Sequence, residues 1–318
     1  LNGRDRHVTV AEMLKKVEKI WVDGRLVDWD AATEHVLAHT LHYGLGAFEG
    51  IRAYARADGQ VGIFRLPEHI DRLFDSCHAA TLDIPFSRAE LGQACRAVIR
   101  ENRLGSAYVR PLVYLGYGGI GLGSTESPVR AIVAAYDWGT YLGAEGLKRG
   151  IRAMVSTFRR ASVDATLCKA KLCGNYVTSV LAKREAHRLG LDEAILLDGS
   201  GHAAEGSGEN LFLVKRGVLL TPPLGSAVLA GITRDSALRM ARDLGIETRE
   251  ALLTRDELWC ADEIFLTGTS AEITPVIELD GRRIGTGEPG PVTRRVQELF
   301  FDTVSGPRPR YPDWLTAV

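Results

Sequence analysis

Two hydrophobic periodicities alternate along the chain and lay out its elements. Ile20-Trp21-Val22 and Arg25-Leu26-Val27 flank the turn dipeptide Asp23-Gly24, and residues 50–54 and 61–64 flank Asp58-Gly59. Apolar runs on either side of such turns predict two pairs of strands. Residues 108–115 and 129–136 are longer runs, rich in β-branched and aromatic side chains, and predict two more. Helical spacing governs residues 68–77, behind Pro67, and residues 88–101. In the second half the pattern predicts a helix over 175–189, a strand over 194–197 and a turn at Asp198-Gly199-Ser200-Gly201. Strands at 210–214 and 218–220 follow, then a helix over 234–244 closed by Gly245, a strand over 263–267 and a last helix over 291–303. Residues 8–19 read as an amphipathic helical lead-in, and the glycine-rich stretch 139–150 as an interdomain linker. Strands and helices mix without strict βαβ order. That predicts an α/β or mixed α+β chain with a small domain over 20–138 and a larger one over 151–318.

Composition narrows the class. A formal net charge of −1 offers no basic field for nucleic acid or an anionic membrane. No apolar run approaches the roughly 18–20 residues that a membrane helix needs. Arg4, Asp5, Arg6 and Glu12 do not resemble the apolar centre of a signal peptide. The five cysteines, odd in number and without CxxC spacing, predict neither a disulfide framework nor a zinc ribbon. A cytoplasmic enzyme is expected.

Two stretches fit neither core nor surface: Lys171-Leu172-Cys173-Gly174-Asn175-Tyr176 and Glu205-Gly206-Ser207-Gly208-Glu209-Asn210. They supply an imine-forming amine, a phenol and a carboxylate beside a glycine-permissive turn. Pyridoxal 5′-phosphate chemistry requires such a lysine, and an acid that keeps the pyridine nitrogen protonated. A phosphate dianion also requires an arginine and free N–H groups at a helix N-terminus. Ala230-Gly231-Ile232-Thr233 precedes the helix expected from residue 234, with Gly231 allowing close approach and Thr233 placed as its N-cap. Gly268-Thr269-Ser270 follows the strand 263–267 and offers more hydroxyls and N–H groups. Lys169 is a chemical rival to Lys171. Cys168 and Cys173 flank the pair.

Two other motifs carry less. Gly116-Tyr117-Gly118-Gly119-Ile120-Gly121 has the spacing of a dinucleotide-binding turn, but behind Pro128 a strand follows where that motif needs a helix. His35, His39 and His42 share helical spacing, yet no acidic ligands group with them, and no metal is expected.

The chain resembles the branched-chain amino acid aminotransferases, which are fold-type IV pyridoxal phosphate enzymes. His42-Tyr43-Gly44, Phe48-Glu49-Gly50-Ile51-Arg52, Tyr108-Val109-Arg110-Pro111, residues 171–176, residues 205–210, Gly231-Ile232-Thr233 and Gly268-Thr269-Ser270-Ala271-Glu272 carry the resemblance, in order, from about residue 20 to about residue 303. It implies a small α/β domain and a larger domain with a pseudo-barrel sheet. It also implies that Lys171 is the Schiff-base lysine, Glu205 the partner of the ring nitrogen and Tyr176 the partner of the ring's phenolic oxygen. Arg72, Gly231, Ile232, Thr233 and Thr269 would hold the phosphate, and Leu229 the ring face. On residue type alone Arg72 reads as an exposed helix arginine. By the same resemblance Tyr43, Phe48, Gly50, Tyr141, Ile120 and Leu122 form the substrate pocket, the last two from a partner subunit of a homodimer or larger homo-oligomer. Arg110 would meet a distal carboxylate, and Tyr108, Ser270 and Ala271 the α-carboxylate.

The implied reaction is ping-pong transamination between leucine, isoleucine or valine and 2-oxoglutarate, with Lys171 as base. D-amino acid transaminase, (R)-amine transaminase and aminodeoxychorismate lyase are the alternatives of the same fold. A non-catalytic homologue is the alternative outside enzymology.

Overall fold

The computed structural model describes residues 14–139 and 142–318. In chain order the first half contains β1 (Lys19–Val22), β2 (Arg25–Asp28), α1 (His39–Tyr43), β3 (Gly46–Phe48), β4 (Ile51–Ala55) and β5 (Val61–Phe64). There follow α2 (Leu66–Ala79), α3 (Arg88–Glu101), β6 (Ala107–Leu115), β7 (Val129–Tyr136) and α4 (Ala144–Arg149). The second half runs β8 (Ile151–Arg159), α5 (Tyr176–Arg188), β9 (Glu193–Leu197), β10 (Ala203–Gly206), β11 (Asn210–Lys215), β12 (Val218–Thr221) and α6 (Ile232–Asp243). It ends with β13 (Thr248–Glu250), α7 (Arg255–Trp259), β14 (Glu263–Gly268), β15 (Glu272–Leu279), β16 (Arg282–Arg283), α8 (Pro291–Ser305) and β17 (Leu315–Ala317).

These strands form two sheets. One has the order β17-β5-β4-β6-β7-β1-β2, with β3 also on β6. The other has the order β10-β9-β8-β15-β14-β11-β12-β13, with β16 on β15, and β10 returns to pair with β11. That extra pairing closes six strands into the expected barrel. Its seam is a single register pair, Glu205 with Asn210.

Burial on both faces explains the continuous apolar runs within β9, β11 and β14. Leu211 and Leu213 of β11, with Ile264 and Leu266 of β14, join one core cluster. The alternate residues Phe212, Val214 and Phe265 join another, formed with Ala237 and Met240 of α6 and Val296 and Phe300 of α8. Period-two side-chain direction splits each strand between the two clusters. The Phe212 and Phe265 rings stack at 4.8 Å where they meet. In the first sheet α2 and α3 lay Ile70, Leu73, Leu91 and Val98 on Ile51, Val109 and Val133.

Several expectations are corrected. Residues 14–18 are not helical, and the rest of the proposed lead-in lies outside the described residues. The stretch 139–150 contains α4. Strands β8 and β15 were not anticipated: Pro275 inside β15 disguises a strand, and it is tolerated because β15 pairs with β8 only from Val276 onward. Helix α6 begins at Ile232, not at residue 234, with Gly231 as its N-cap. Thr233 therefore lies within the first turn and does not cap the helix. Only a glycine fits at 231, since a Cβ there would stand 1.9 Å from Asn210 Oδ1. Strand β17, near the C-terminus, crosses back to pair with β5 of the first sheet.

Candidate active site

Lys171 sits on the connection from β8 to α5, tied to the other sheet. Its backbone carbonyl accepts from Phe48 N at 3.0 Å, and its N–H donates to Ser76 Oγ at 2.9 Å. The amine hydrogen-bonds the Tyr176 hydroxyl and lies 4.8 Å from the centre of the Phe48 ring. Lys171 lines a cavity between the two sheets. Lys169 is turned elsewhere: its Nζ donates to Ser226 O and Val228 O, both at 2.7 Å.

Glu205, on the barrel seam, lines the same cavity. Its Oε1 pairs with Arg160 Nε at 3.0 Å, while Oε2 accepts from Leu229 N at 2.9 Å and Asn210 Nδ2 at 3.3 Å. Burial pushes this carboxyl up, and the Arg160 guanidinium and the Leu229 N–H work against that. A positively charged partner in the cavity would favour the ionised form further.

Arg72 closes another part of the cavity. Its side chain is 14% exposed, which overturns the reading of an exposed helix arginine. Nε and Nη2 donate to the two oxygens of Glu49 at 2.7 and 2.8 Å, and Nη1 donates to Ala230 O at 2.9 Å. His69 Nδ1 lies 2.8 Å from Glu49 Oε2. Gly231, Ile232, Thr233, Thr269 and Ser270 also line the cavity, so the N-terminus of α6 and the turn after β14 both border it.

A second chamber adjoins the first through Tyr108, Lys171, Tyr176 and Ser270, and is completed by Phe48, Arg110 and Trp138. The Arg110 guanidinium stacks 4.8 Å over Phe48 and donates from Nη2 to the Tyr108 hydroxyl at 3.1 Å. Its buried Nε has no protein partner. Gly50 is required here, because a Cβ would lie 1.9 Å from the Tyr108 hydroxyl. Ala271 is buried immediately behind Ser270. The turn holding both ends at Glu272, whose φ of 54° is left-handed. Tyr54, donating to Glu272 Oε1 at 2.9 Å, and Arg52, donating to Ser270 O at 3.4 Å, hold that turn.

Phe48, Gly50, Arg72, Tyr108, Arg110, Lys171, Tyr176, Glu205, Leu229, Gly231, Ile232, Thr233, Thr269 and Ser270 thus converge on one pair of connected chambers. Tyr43, Ile120 and Leu122 do not line them and are exposed. Tyr141 lies outside the described residues. Sequence reasoning gave no role to Glu49, His69, Trp138, Arg160 or Glu209. Glu49 and Glu209 stood inside the quoted motifs, and that position was the available signal. The three histidines His35, His39 and His42 engage backbone: His39 Nε2 is 3.0 Å from Gly121 O, and His42 Nε2 is 2.9 Å from Val36 O. A strand, β7, follows the glycine-rich stretch 116–121.

A closed six-strand barrel beside an antiparallel sheet, with a lysine, a phenol and a buried glutamate around one cavity, defines a class. The profile of the amino-transferase class IV family matches residues 46–279, and the chain belongs to that family. Its relatives include the branched-chain-amino-acid aminotransferase of Pseudomonas aeruginosa, 50% identical over 94% of this chain and 97% of that one. The enzyme of that name from Escherichia coli K12 is 48% identical over 96% and 98%. Among solved structures, the Escherichia coli branched-chain amino acid aminotransferase superposes with a TM-score of 0.92 at 47% identity, covering 94% of this chain and 99% of that one. The branched-chain amino acid aminotransferase of Thermobaculum terrenum, solved in its PLP-bound holo form, gives 0.88 at 33% identity, covering 95% and 98%.

Proposed function

We propose that Lys171 bonds the reactive carbon of pyridoxal 5′-phosphate and that Glu205 pairs with its ring nitrogen, within a transaminase for branched-chain L-amino acids and 2-oxoglutarate. The chain is a pyridoxal phosphate-dependent class IV aminotransferase. It exchanges the amino group between leucine, isoleucine or valine and 2-oxoglutarate. The observation that carries the site assignment is the convergence of Lys171, Tyr176, Glu205, Arg72 and the α6 N-terminus on one cavity. The residues present fit the cofactor. Arg72 keeps donors unused, Thr267 Oγ1 is a buried atom lining this cavity with no protein partner, and Gly231 lets backbone approach closely.

When bound, the cofactor supplies an electron-poor ring that takes up charge from the substrate's Cα. This chain's residues do the rest. Lys171 Nζ, free once the substrate amine has taken its place, would move a proton between the substrate's Cα and the cofactor's C4′. The Tyr176 hydroxyl holds the amine of Lys171 in place and donates to the ring's phenolic oxygen. Glu205 keeps a proton on the ring nitrogen, and Leu229 packs the ring face. Arg72, Gly231, Ile232, Thr233 and Thr269 take the phosphate. Tyr108, Ser270 and Ala271 hold the α-carboxylate. Phe48 and Gly50 enclose an apolar side chain, and Arg110 accommodates the distal carboxylate of glutamate by a bidentate fork.

A homodimer belongs to the same proposal. Val36, Leu41, Tyr43, Tyr117, Ile120 and Leu122 are 73, 67, 43, 56, 57 and 87% exposed. An apolar face of this kind favours a second copy whose Ile120 and Leu122 complete the pocket. Among the described residues no helix is long and apolar enough to cross a membrane. A cytoplasmic location and two domains, 20–138 and 151–318 joined by 139–150, complete the reading. The test is consumption of 2-oxoglutarate with L-leucine, D-alanine and an (R)-arylamine in parallel. L-leucine alone should support it; turnover with D-alanine only would reject the assignment.

A further inference from the structure

Glu49 touches neither of the two substrate half-sites directly, yet it is fully buried between Phe48 and Gly50, which line the two chambers. Burial alone would raise its carboxyl. The Arg72 guanidinium and His69 outweigh this and hold it well below the usual carboxylate range, so it stays an anion. Its acceptors are filled: Arg72 Nε and Nη2, His69 Nδ1 and, at 3.3 Å, Gly50 N. Its own N–H is pinned to Pro111 O at 2.9 Å. Glu49 is therefore a fixed point on the first sheet.

We propose that Glu49, backed by His69, is the positioning residue that aims Arg72 at the cofactor phosphate; this rests on the reading of Arg72 as a phosphate ligand. A guanidinium carries five N–H donors. Three are committed, Nε and one of Nη2 to Glu49 and one of Nη1 to Ala230 O. Two remain, one on each terminal nitrogen, and Arg72 lines the cavity. A pair of donors on adjacent nitrogens suits two phosphate oxygens. Ala230 immediately precedes Gly231, the N-cap of α6, so the bond from Nη1 registers the fork against that helix terminus. Glu49 thereby locks a flexible side chain from α2 to the phosphate end of the barrel domain. Pre-organisation of this kind lowers the ordering cost of binding. Because Glu49 also neutralises Arg72, the fork contributes directed donors more than net charge.

The test compares two ligands that differ only in the phosphate. Apoprotein is titrated with pyridoxal 5′-phosphate and with pyridoxal, and the visible absorbance of the lysine-bound ligand is followed. Glu49→Gln should weaken pyridoxal 5′-phosphate on the order of 10–100-fold, as is typical when an orienting partner is lost, and pyridoxal by less than about threefold. Arg72→Gln should show the same phosphate-selective loss, and the double variant should be little worse than either single one. Glu49→Asp keeps the charge but shortens the reach, and carries the test if Glu49→Gln does not fold; it should show a smaller loss with the same selectivity. Equal weakening of both ligands by Glu49→Gln or Glu49→Asp would mean a purely structural role and overturn the proposal. If Arg72→Gln itself shows no phosphate selectivity, the reading of Arg72 falls and the role of Glu49 with it.

Discussion

Asn210 faces Glu205 across the seam that closes the barrel, and its Nδ2 reaches both Glu205 Oε2 at 3.3 Å and Leu229 O at 2.9 Å. The carboxylate proposed for the ring nitrogen is thus built into the closure of the fold, with Arg160 on its other oxygen. Glu205→Gln keeps the shape and removes the charge. It should retain cofactor at full stoichiometry and lower kcat by about 100-fold or more, the scale of a lost electrostatic contact at a reacting system. Cofactor absorbance and kcat measured on the same preparation check this; a kcat within about threefold of the parent would remove Glu205 from the mechanism.

Arg110 separates the two half-reactions. Its guanidinium is held by Tyr108 and Phe48 while Nε has no protein partner, so it is placed for an anion that the protein does not supply. Arg110→Leu should cost the 2-oxoglutarate half-reaction about 2–5 kcal/mol, roughly 30-fold to several thousand-fold in kcat/KM. The leucine half-reaction should change by less than about fivefold, because an apolar substituent needs no cation. Single-turnover absorbance with each substrate separately reads both numbers. Equal losses in the two would count against a distal-carboxylate role.

The elements most legible in the sequence are those whose signals are local. Helix α3 runs Arg88–Glu101 as expected, and the structure shows its Ser87–Glu90 capping box. Lys171, Tyr176 and Glu205 were legible because short motifs hold them together. Glu49, His69 and Arg160 were not, because each acts on a partner from another element. Nothing near Glu49 announces that Arg72, 23 residues on, will wrap around it. Strand β15 was hidden by Pro275, whose acceptability depends on where its neighbour β8 begins. The N-terminus of α6 was misplaced by two residues because Thr233 is locally the better N-cap type, whereas Gly231 caps the helix where Asn210 of β11 comes close. Local pattern supplies elements, and long-range contact decides their ends.

Glu209 makes stability depend on pH in a definite direction. It is 3% exposed, with Oε2 accepting from Gly208 N at 3.1 Å and Oε1 without a protein partner. Burial pushes its carboxyl up to about 8; the Glu193 and Glu205 carboxylates add to this, and Lys183, paired with Glu193 at 2.5 Å, opposes it. The folded chain therefore holds a proton that the unfolded chain releases above its ordinary value of 4.5. This contribution is fully present below that value and is lost as pH rises through about 8. Glu209→Gln mimics the protonated acid at every pH. Its apoprotein Tm should fall less than the parent's between about pH 5 and about pH 8. Parallel Tm profiles across that window would place the proton elsewhere.

Gly50 and Tyr108 give a prediction that contrasts with Arg110. A Cβ at position 50 would lie 1.9 Å from the Tyr108 hydroxyl and 2.6 Å from its Cζ. Tyr108 has little room to withdraw, since Trp138 stands edge-on at 4.5 Å and Tyr136 lies 5.7 Å away. Gly50→Ala must therefore displace the Tyr108 hydroxyl, at a typical overpacking cost of about 1–3 kcal/mol. Every amino acid and 2-oxo acid presents the same α-carboxylate, which Tyr108 is proposed to hold. The loss should fall equally on both half-reactions, with KM rising about tenfold for L-leucine and for L-glutamate. Pairing Gly50→Ala with Tyr108→Phe removes the atom in closest conflict, so the double variant should be less impaired than the sum of the single ones. Strict additivity, or a loss confined to one substrate, would show that the displaced hydroxyl is not what the α-carboxylate meets.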